Sequence, residues 1–505
     1  MSERSIYIMS NLLIIKVLTL IILFNKLYFI QQKDNLPQKN EKLIWAATWD
    51  DPGIPLKYVF PMVWLRWPVN STTGDHQAFF PLTPTPTTEI IKSKLLSLPE
   101  GNRALFLWHF AKYTNIPFDN VREADGKESN QPSPWAAALA PAANFEIKTL
   151  FSTLKNNNID IDLLILDNEM YSFDIWNILN YKQTNAFQNL YNDPRAKNKF
   201  FDTAPLVNLL EGVNLERLGG PAYGNEYLMW NCALNKVFTS ALNEAIWKPV
   251  INIFPNIKSC NYNSFKSNLN DAAPNANGHP QHHDNIFGTG NSPICYGCIN
   301  QAATAWGIDS LNTTQLVFQG ANKLKRNAWN SLLIDVQLLR SVRRSGQTEL
   351  YPWISTPSYV GGEPNEKIEI PLCGYPSDPR YYKEMVRHLI LTGTKIFLVF
   401  NPPSNTMDLR LKHAKELNDI LLEMNSKFGG FILDPLNISR ISYETKFIAS
   451  GALSSSGDYL WRITVLSEVK SLIIEGLPTP LQIPQGEIGV WLKTKTKILP
   501  KISSI

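Results

Sequence analysis

Three short runs, ALFLW at 104–108, LLIL at 163–166 and IFLVF at 396–400, are apolar at every position. A strand with one face in water alternates apolar with polar residues. A run that never alternates is covered on both faces, which is the situation of a parallel sheet under helices. Similar runs are KLIWAATW or VFPMVWLRW near the start, KPVINIF (Lys248 to Phe254) and ELYPWIS (Glu349 to Ser355). Helical patterns lie between them, at Glu226 to Ile246, Arg326 to Arg344 and Tyr381 to Leu391. Strands alternating with helices over about 390 of the 505 residues predict an α/β fold, a TIM-like (β/α) barrel spanning 42–429. No glycine-rich phosphate loop follows the first strands, which counts against a nucleotide-binding open sheet. Six or seven strands can be read in this way, short of eight.

After His413 to Gly429 the pattern changes to short runs split by turn residues. In DYLWRITV, Tyr459, Trp461, Ile463 and Val465 alternate with Leu460, Arg462 and Thr464, the period of a half-buried strand. A small β-sandwich is expected over 430–505.

At the other end, Arg4 precedes the apolar stretch Asn11 to Ile30, and the polar segment 31–41 follows as a linker. The uninterrupted apolar core, Val17 to Phe24, is shorter than the roughly 20 residues of a spanning helix. Residues 1–30 therefore read as a signal peptide or signal anchor, which predicts an extracytoplasmic protein, secreted or associated with a membrane through this segment. Outside the cytosol, the five cysteines permit up to two disulfides. At HPQHH and CYGC a polar loop with a disulfide is expected, the pairing being left open. The rival reading joins those cysteines with His279, His282 and His283 in a zinc set, although the spacing fits no standard finger. A net charge of +4 is too small to imply nucleic acid as a partner, and the basic stretch Lys323 to Arg344 reads as a solvated helix face.

The chemistry is concentrated in DLLILDNEMY, Asp162 to Tyr171. A buried run ends here in two acids, with no basic residue close along the chain. Asp167 and Glu169 fall on one face of an extended segment and Asn168 on the other. Two carboxyls held about 6–7 Å apart at their Cα atoms do not ionise together easily. One then keeps a proton near neutral pH and serves as a general acid, the logic of paired carboxylates in glycosidases. The same letters allow a second assignment, in which Asn168 and Glu169 form an acid/base pair and Glu363 is the nucleophile. Glu349 stands at the wrong end of its strand for that role.

LILDNEMY resembles the apolar-Asp-x-Glu-x-aromatic signature of the hyaluronidase-like glycoside hydrolases. IWKPVINIFPNIKSCNYN (Ile246 to Asn263) is similar to that family's aromatic strand running into a Cys-Tyr-Asn turn, and SPICYG (Ser292 to Gly297) to its later Pro-Ser-x-Tyr segment. The order agrees over about Asp162 to Asn401, with Phe400 standing where the family has a tryptophan. The resemblance implies Glu169 as proton donor and Asp167 as the residue that orients an N-acetyl group acting as internal nucleophile. It implies Tyr171, Tyr262, Tyr296, Trp353 and Phe400 as substrate contacts, an oligo- or polysaccharide as partner, and no cofactor or metal. The rival from another class is a non-catalytic carbohydrate-binding surface protein on a degenerate barrel; a third is a zinc hydrolase built on the His/Cys loop.

Overall fold

The computed structural model describes residues 43–49, 51–66, 87–108, 120–122, 128–132, 139–167, 243–261, 288–293, 295, 349–355, 379–400, 407–429, 432–437, 445–475, 477–497 and 502–504, together with helical positions between 329 and 343. From Ile44 onward the chain is one compact unit.

Its first layer is parallel. Strands β1 (Trp45–Thr48), β2 (Val59–Pro61), β3 (Val63–Arg66), β4 (Ala104–Trp108), β7 (Leu163–Asp167), β8 (Lys258–Asn261), β9 (Trp353–Ser355) and β10 (Ile396–Phe400) form two four-stranded sheets, ordered β2-β1-β10-β9 and β3-β4-β7-β8. Only Met62 separates β2 from β3, so one run of chain serves both sheets. At the far edges, Thr289 and Gly290 donate backbone N–H groups to Ser259 O, at 3.2 and 3.0 Å. Asn291 pairs in parallel with Leu350, and Cys295 N donates to Trp353 O at 2.7 Å. Residues 289–293 and 295 thus link the edge strands β8 and β9. A small antiparallel pair, β5 (Asn120–Arg122) and β6 (Glu128–Pro132), lies between β4 and the next helix in the chain.

The apolar runs are covered on both faces, as their composition predicts. Leu163 and Ile165 belong to one buried cluster with Trp64, Phe106 and Trp353. Leu164 and Leu166 belong to another, with helix residues Ile147, Leu150, Phe151 and Leu154. Those four share a stripe at helical spacing on α2 (Leu139–Asn156), which follows α1 (Thr87–Ser97) in the chain. Asn158, at φ +56°, ends α2 in the left-handed region that asparagine tolerates.

KPVINIF is not a strand. Lys248–Ile253 form helix α3, entered through one π-helical turn (Asn243–Trp247), and the strand is the following KSCN of β8. Pro249 suits the first turn of a helix, and Val250 and Phe254, four apart, both join the helix-facing cluster. A short apolar run carries no period long enough to tell the two states apart. Further helices are α4 (Pro379–Leu391) and α5 (Met407–Phe428). Among the described residues no helix is long and apolar enough to cross a membrane; residues 1–42 lie outside them.

The C-terminal region is antiparallel. One sheet is ordered β11 (Leu433–Asn437), β12 (Phe447–Leu453), β13 (Tyr459–Val465), β16 (Gly489–Thr494), and the other β15 (Leu481–Gln482), β14 (Ser471–Ile474), β17 (Ile502–Ser504). β13 is not half-buried. Arg462 and Thr464 are as buried as Trp461 and Ile463, because their face is covered by α4. There Glu384 accepts hydrogen bonds from Arg462, Arg387 and Thr464, and His388 sits between Ser450 and Thr464 at 2.8 and 2.9 Å. Most of the basic stretch 323–344 lies outside the described residues, but within it Arg340 departs from the expected solvated face by packing on β12. Arg340 is 4% exposed and donates to Ala449 O at 3.0 Å and Ser450 Oγ at 2.8 Å.

Candidate active site

β7 carries the predicted acid at its last residue. The parallel register aligns Arg66 with Trp108 and Trp108 with Asp167. One step toward the strand N-termini on the same face, it aligns Trp64, Phe106, Ile165 and Cys260. Leu163 and Ile165 lie in the inner cluster, so alternation makes Asp167 the next inner position of β7, at its C-terminal end. Local sequence could not show that Arg66 shares this row, since it is 101 positions away in sequence and two strands away, about 10 Å at the backbone. Asn168, Glu169, Tyr171, Tyr262, Tyr296 and Glu363 lie outside the described residues.

Below the row of Asp167 the inner face is aromatic. Trp49 follows β1 directly, and its backbone is pinned on both sides. Its N–H donates to Val399 O at 2.8 Å, and its carbonyl accepts from Trp64 Nε1 at 3.0 Å. Around its ring stand Trp64 (3.9 Å between centroids), Phe106 (5.3 Å), Phe400 (5.3 Å) and Trp353 (6.3 Å). These contacts are edge-on or tilted, the arrangement that aromatic quadrupoles favour. Of the substrate contacts expected as apolar walls, Tyr171 lies outside the described residues, Trp353 is 1% exposed and lies beneath, and Phe400 is half-buried at the end of β10. Trp49, Trp64 and Phe106 were missed as site residues. The signal available was the spacing of Trp45, Ala47 and Trp49 in WAATW, which puts three residues on one face.

The opposite, N-terminal end of the strands has its own ion pair. Lys258 Nζ donates to Glu349 at 2.6 Å, and the Tyr351 hydroxyl donates to the same carboxylate at 2.9 Å. Burial would raise the Glu349 carboxyl, but these donors and the charge of Lys258 hold it below the ordinary range. An acid kept ionised in this way fastens strands and is a poor proton donor.

The cysteines depart from expectation. Cys295 is a free, buried thiol beside β9, its Sγ 3.8 Å from Asp335 O, so it takes no part in the disulfide expected of this loop. It belongs to the inner buried cluster. Cys260 is likewise free and buried; burial, offset in part by Ser292, pushes its thiol up to about 12. Among the described residues no group of His, Cys, Asp and Glu is placed to hold a metal ion; His279 to His283 and Cys298 fall outside them.

No family model and no curated protein matches this sequence. Among solved structures, the chain is similar to a family 36 α-galactosidase from Geobacillus stearothermophilus in complex with 1-deoxygalactonojirimycin, at 8% identity and a TM-score of 0.36, covering 92% of this chain and 56% of that one. It is similar to an acarbose-soaked debranching enzyme from Nostoc punctiforme, at 9% identity and a TM-score of 0.29, covering 81% and 87%. A β-mannanase from the blue mussel Mytilus edulis follows at 9% identity and a TM-score of 0.25, covering 75% and 92%. The chain spans about half the length of the α-galactosidase structures it matches. Likenesses of this size assign neither a fold family nor an activity.

Proposed function

We propose that the chain is a glycoside hydrolase whose parallel strands close into a (β/α) barrel, followed by a C-terminal β-sandwich from about residue 430. The closure is supported by the neighbour order, which runs from β1 through β2–Met62–β3, β4, β7 and β8, then across 289–295 to β9 and β10. The observation that carries the activity is the place of Asp167. It ends β7 on the inner face, one row beyond an aromatic layer, at the strand end where barrels of this kind keep their chemistry.

In this reading Glu169, two residues further on, protonates the leaving glycosidic oxygen. The acetamide oxygen of an N-acetylated sugar attacks the anomeric carbon as that bond breaks, and Asp167 orients the acetamide and balances its developing charge. Water then opens the cyclic intermediate and returns a proton to Glu169. Tyr262 and Tyr296 hydrogen-bond the sugar, and Tyr171, Trp353 and Phe400 contribute to the apolar wall. The N-terminal segment directs the protein out of the cytosol.

The test is turnover by the full chain on 4-nitrophenyl glycosides, including the N-acetylglucosaminide, and on hyaluronan and chitin oligosaccharides. Hydrolysis of an N-acetylated substrate that disappears in Glu169→Gln supports the proposal. Binding without turnover points instead to a carbohydrate-binding surface protein.

A further inference from the structure

We infer that the join between α4 and the sheet β11-β12-β13-β16 is an acid-released latch. It is held by one directed chain of hydrogen bonds, which fixes His388 as the Nε2–H tautomer and which a proton on that ring breaks. The chain runs from the helical Arg340 through Ser450 of β12, His388 of α4 and Thr464 of β13 to Glu384 of α4. Its links measure 2.8, 2.8, 2.9 and 2.6 Å in turn. All five residues are at most 4% exposed.

The direction follows from the two ends. Glu384 is paired with Arg462 and Arg387, so it is ionised and can only accept. The Thr464 hydroxyl therefore gives its hydrogen to Glu384, and its oxygen receives the Nε2–H of His388. Nδ1 of the neutral ring is then the acceptor for the Ser450 hydroxyl. At the other end a guanidinium can only donate, and Arg340 Nη2 donates to the Ser450 oxygen. From Arg340 to Glu384 every donor has an acceptor, in one order only.

A proton added at Nδ1 reverses one link. Ser450 Oγ would face two donors, and its own hydrogen would lose its acceptor in a place that water does not reach. The new charge would also be badly placed. Among the described residues, the charged groups facing the ring are Arg340, Arg387 and Arg462 against Glu384 alone, and β12 offers only a hydroxyl. The ring therefore takes up its proton when the join opens to water. An opened His388 binds a proton near its ordinary value of 6.5, so acid favours opening, by up to about tenfold per pH unit for one proton.

The first measurement is a long-range nitrogen–proton correlation spectrum of the full chain with isotope-labelled histidine at pH 7.5. With the signal identified by its loss in His388→Gln, the ring should be the neutral Nε2–H form. The Nδ1–H form or a charged ring overturns the inference. The second is hydrogen exchange read by mass spectrometry from pH 7.5 to 5, corrected for the intrinsic pH dependence of amide exchange. Opening of α4, β12 and β13 should run ahead of β4 and β7 and rise by up to about tenfold per pH unit below about 6.5. That rise should disappear in His388→Gln. Exchange in step with β4 and β7, opening independent of pH, or an equal rise in His388→Gln overturns the latch. Should His388→Gln not fold, Ser450→Ala identifies the ring signal by displacing it. The tautomer, and the exchange of the unsubstituted chain against β4 and β7, then decide on the same terms.

Discussion

Arg462 of β13 grips the Glu384 carboxylate of α4 with two arms, Nε at 2.7 Å and Nη2 at 2.5 Å, and both residues are nearly sealed from water. Burial alone would raise the Glu384 carboxyl. The hydrogen bonds and charge of Arg462, then the charge of Arg387 and the Thr464 hydroxyl, hold it down at about 2. Removing one partner of such a pair strands the other charge, a loss of about 3–5 kcal/mol. Arg462→Met should approach the lower end of that range, because Arg387 keeps its contact with Glu384. Adding Glu384→Leu should restore much of the loss. Urea melts measure both, and a loss under about 1 kcal/mol in the single variant would show that the join does not depend on this pair.

His388, buried between the Ser450 and Thr464 hydroxyls, sets a pH response. Burial first, then the charges of Arg340, Arg462 and Arg387 against the opposing pull of Glu384, lower it from 6.5 to about 3. The unfolded chain takes up a proton near pH 6.5, whereas the folded chain stays neutral at this site until about 3. Between those values the unfolded state binds more protons, so stability falls as pH falls, by at most about 1.4 kcal/mol per pH unit for one proton. Glu384, depressed from 4.5 to about 2, adds a loss of the same sign that begins lower. The melting temperature followed from pH 7.5 to 5 should drop less steeply in His388→Gln. Parallel curves for the two chains would remove His388 from the account.

Cys260 and Cys295 should resist an aromatic disulfide reagent in the native chain and react once it is denatured. Both are buried and free, and burial holds both thiols protonated, Cys260 up to about 12. The thiolate is the reactive form, so native labelling should be slow at both. Peptide mapping after alkylation without reduction gives the answer. Recovery of Cys295 in a disulfide with Cys298 would contradict its place in the core.

At the proposed site the order of damage is the measurement. Glu169→Gln should lower turnover by about 10²–10⁴-fold, the usual worth of general acid catalysis. Asp167→Asn should also impair turnover, and Asn168→Ala should do little, since alternation assigns it the other face. If Asn168→Ala and Glu363→Gln are as harmful as Glu169→Gln, the acid/base assignment passes to Asn168 and Glu169 with Glu363 as nucleophile.

The sequence was most informative where a run had one possible surrounding. ALFLW, LLIL and IFLVF are apolar throughout and became parallel strands with both faces covered. It misled where the surrounding was supplied from far away. Arg462 and Thr464 read as solvent-facing because nothing local signals that α4 lies on them. KPVINIF has the composition of a strand, but Pro249 and its neighbours start a helix. At the site, Asp167 was legible from an acid closing an apolar run. Arg66 and Trp49 were not, since strand register alone aligns the first with Asp167 and the strand array alone gathers four aromatic rings around the second.

Met62, the single residue between β2 and β3, carries the parity of the inner face from one sheet to the next: Met62 and Trp64 lie inside, Val63 and Leu65 under the helices. An insertion of one residue there would act like a frameshift in space. Val63 and Leu65 would turn inward, Trp64 would lose its bond to Trp49, and the helix layer would receive an indole in place of a leucine. Length variation among descendants of this chain should therefore accumulate in the connections between strands and helices and spare this one peptide junction.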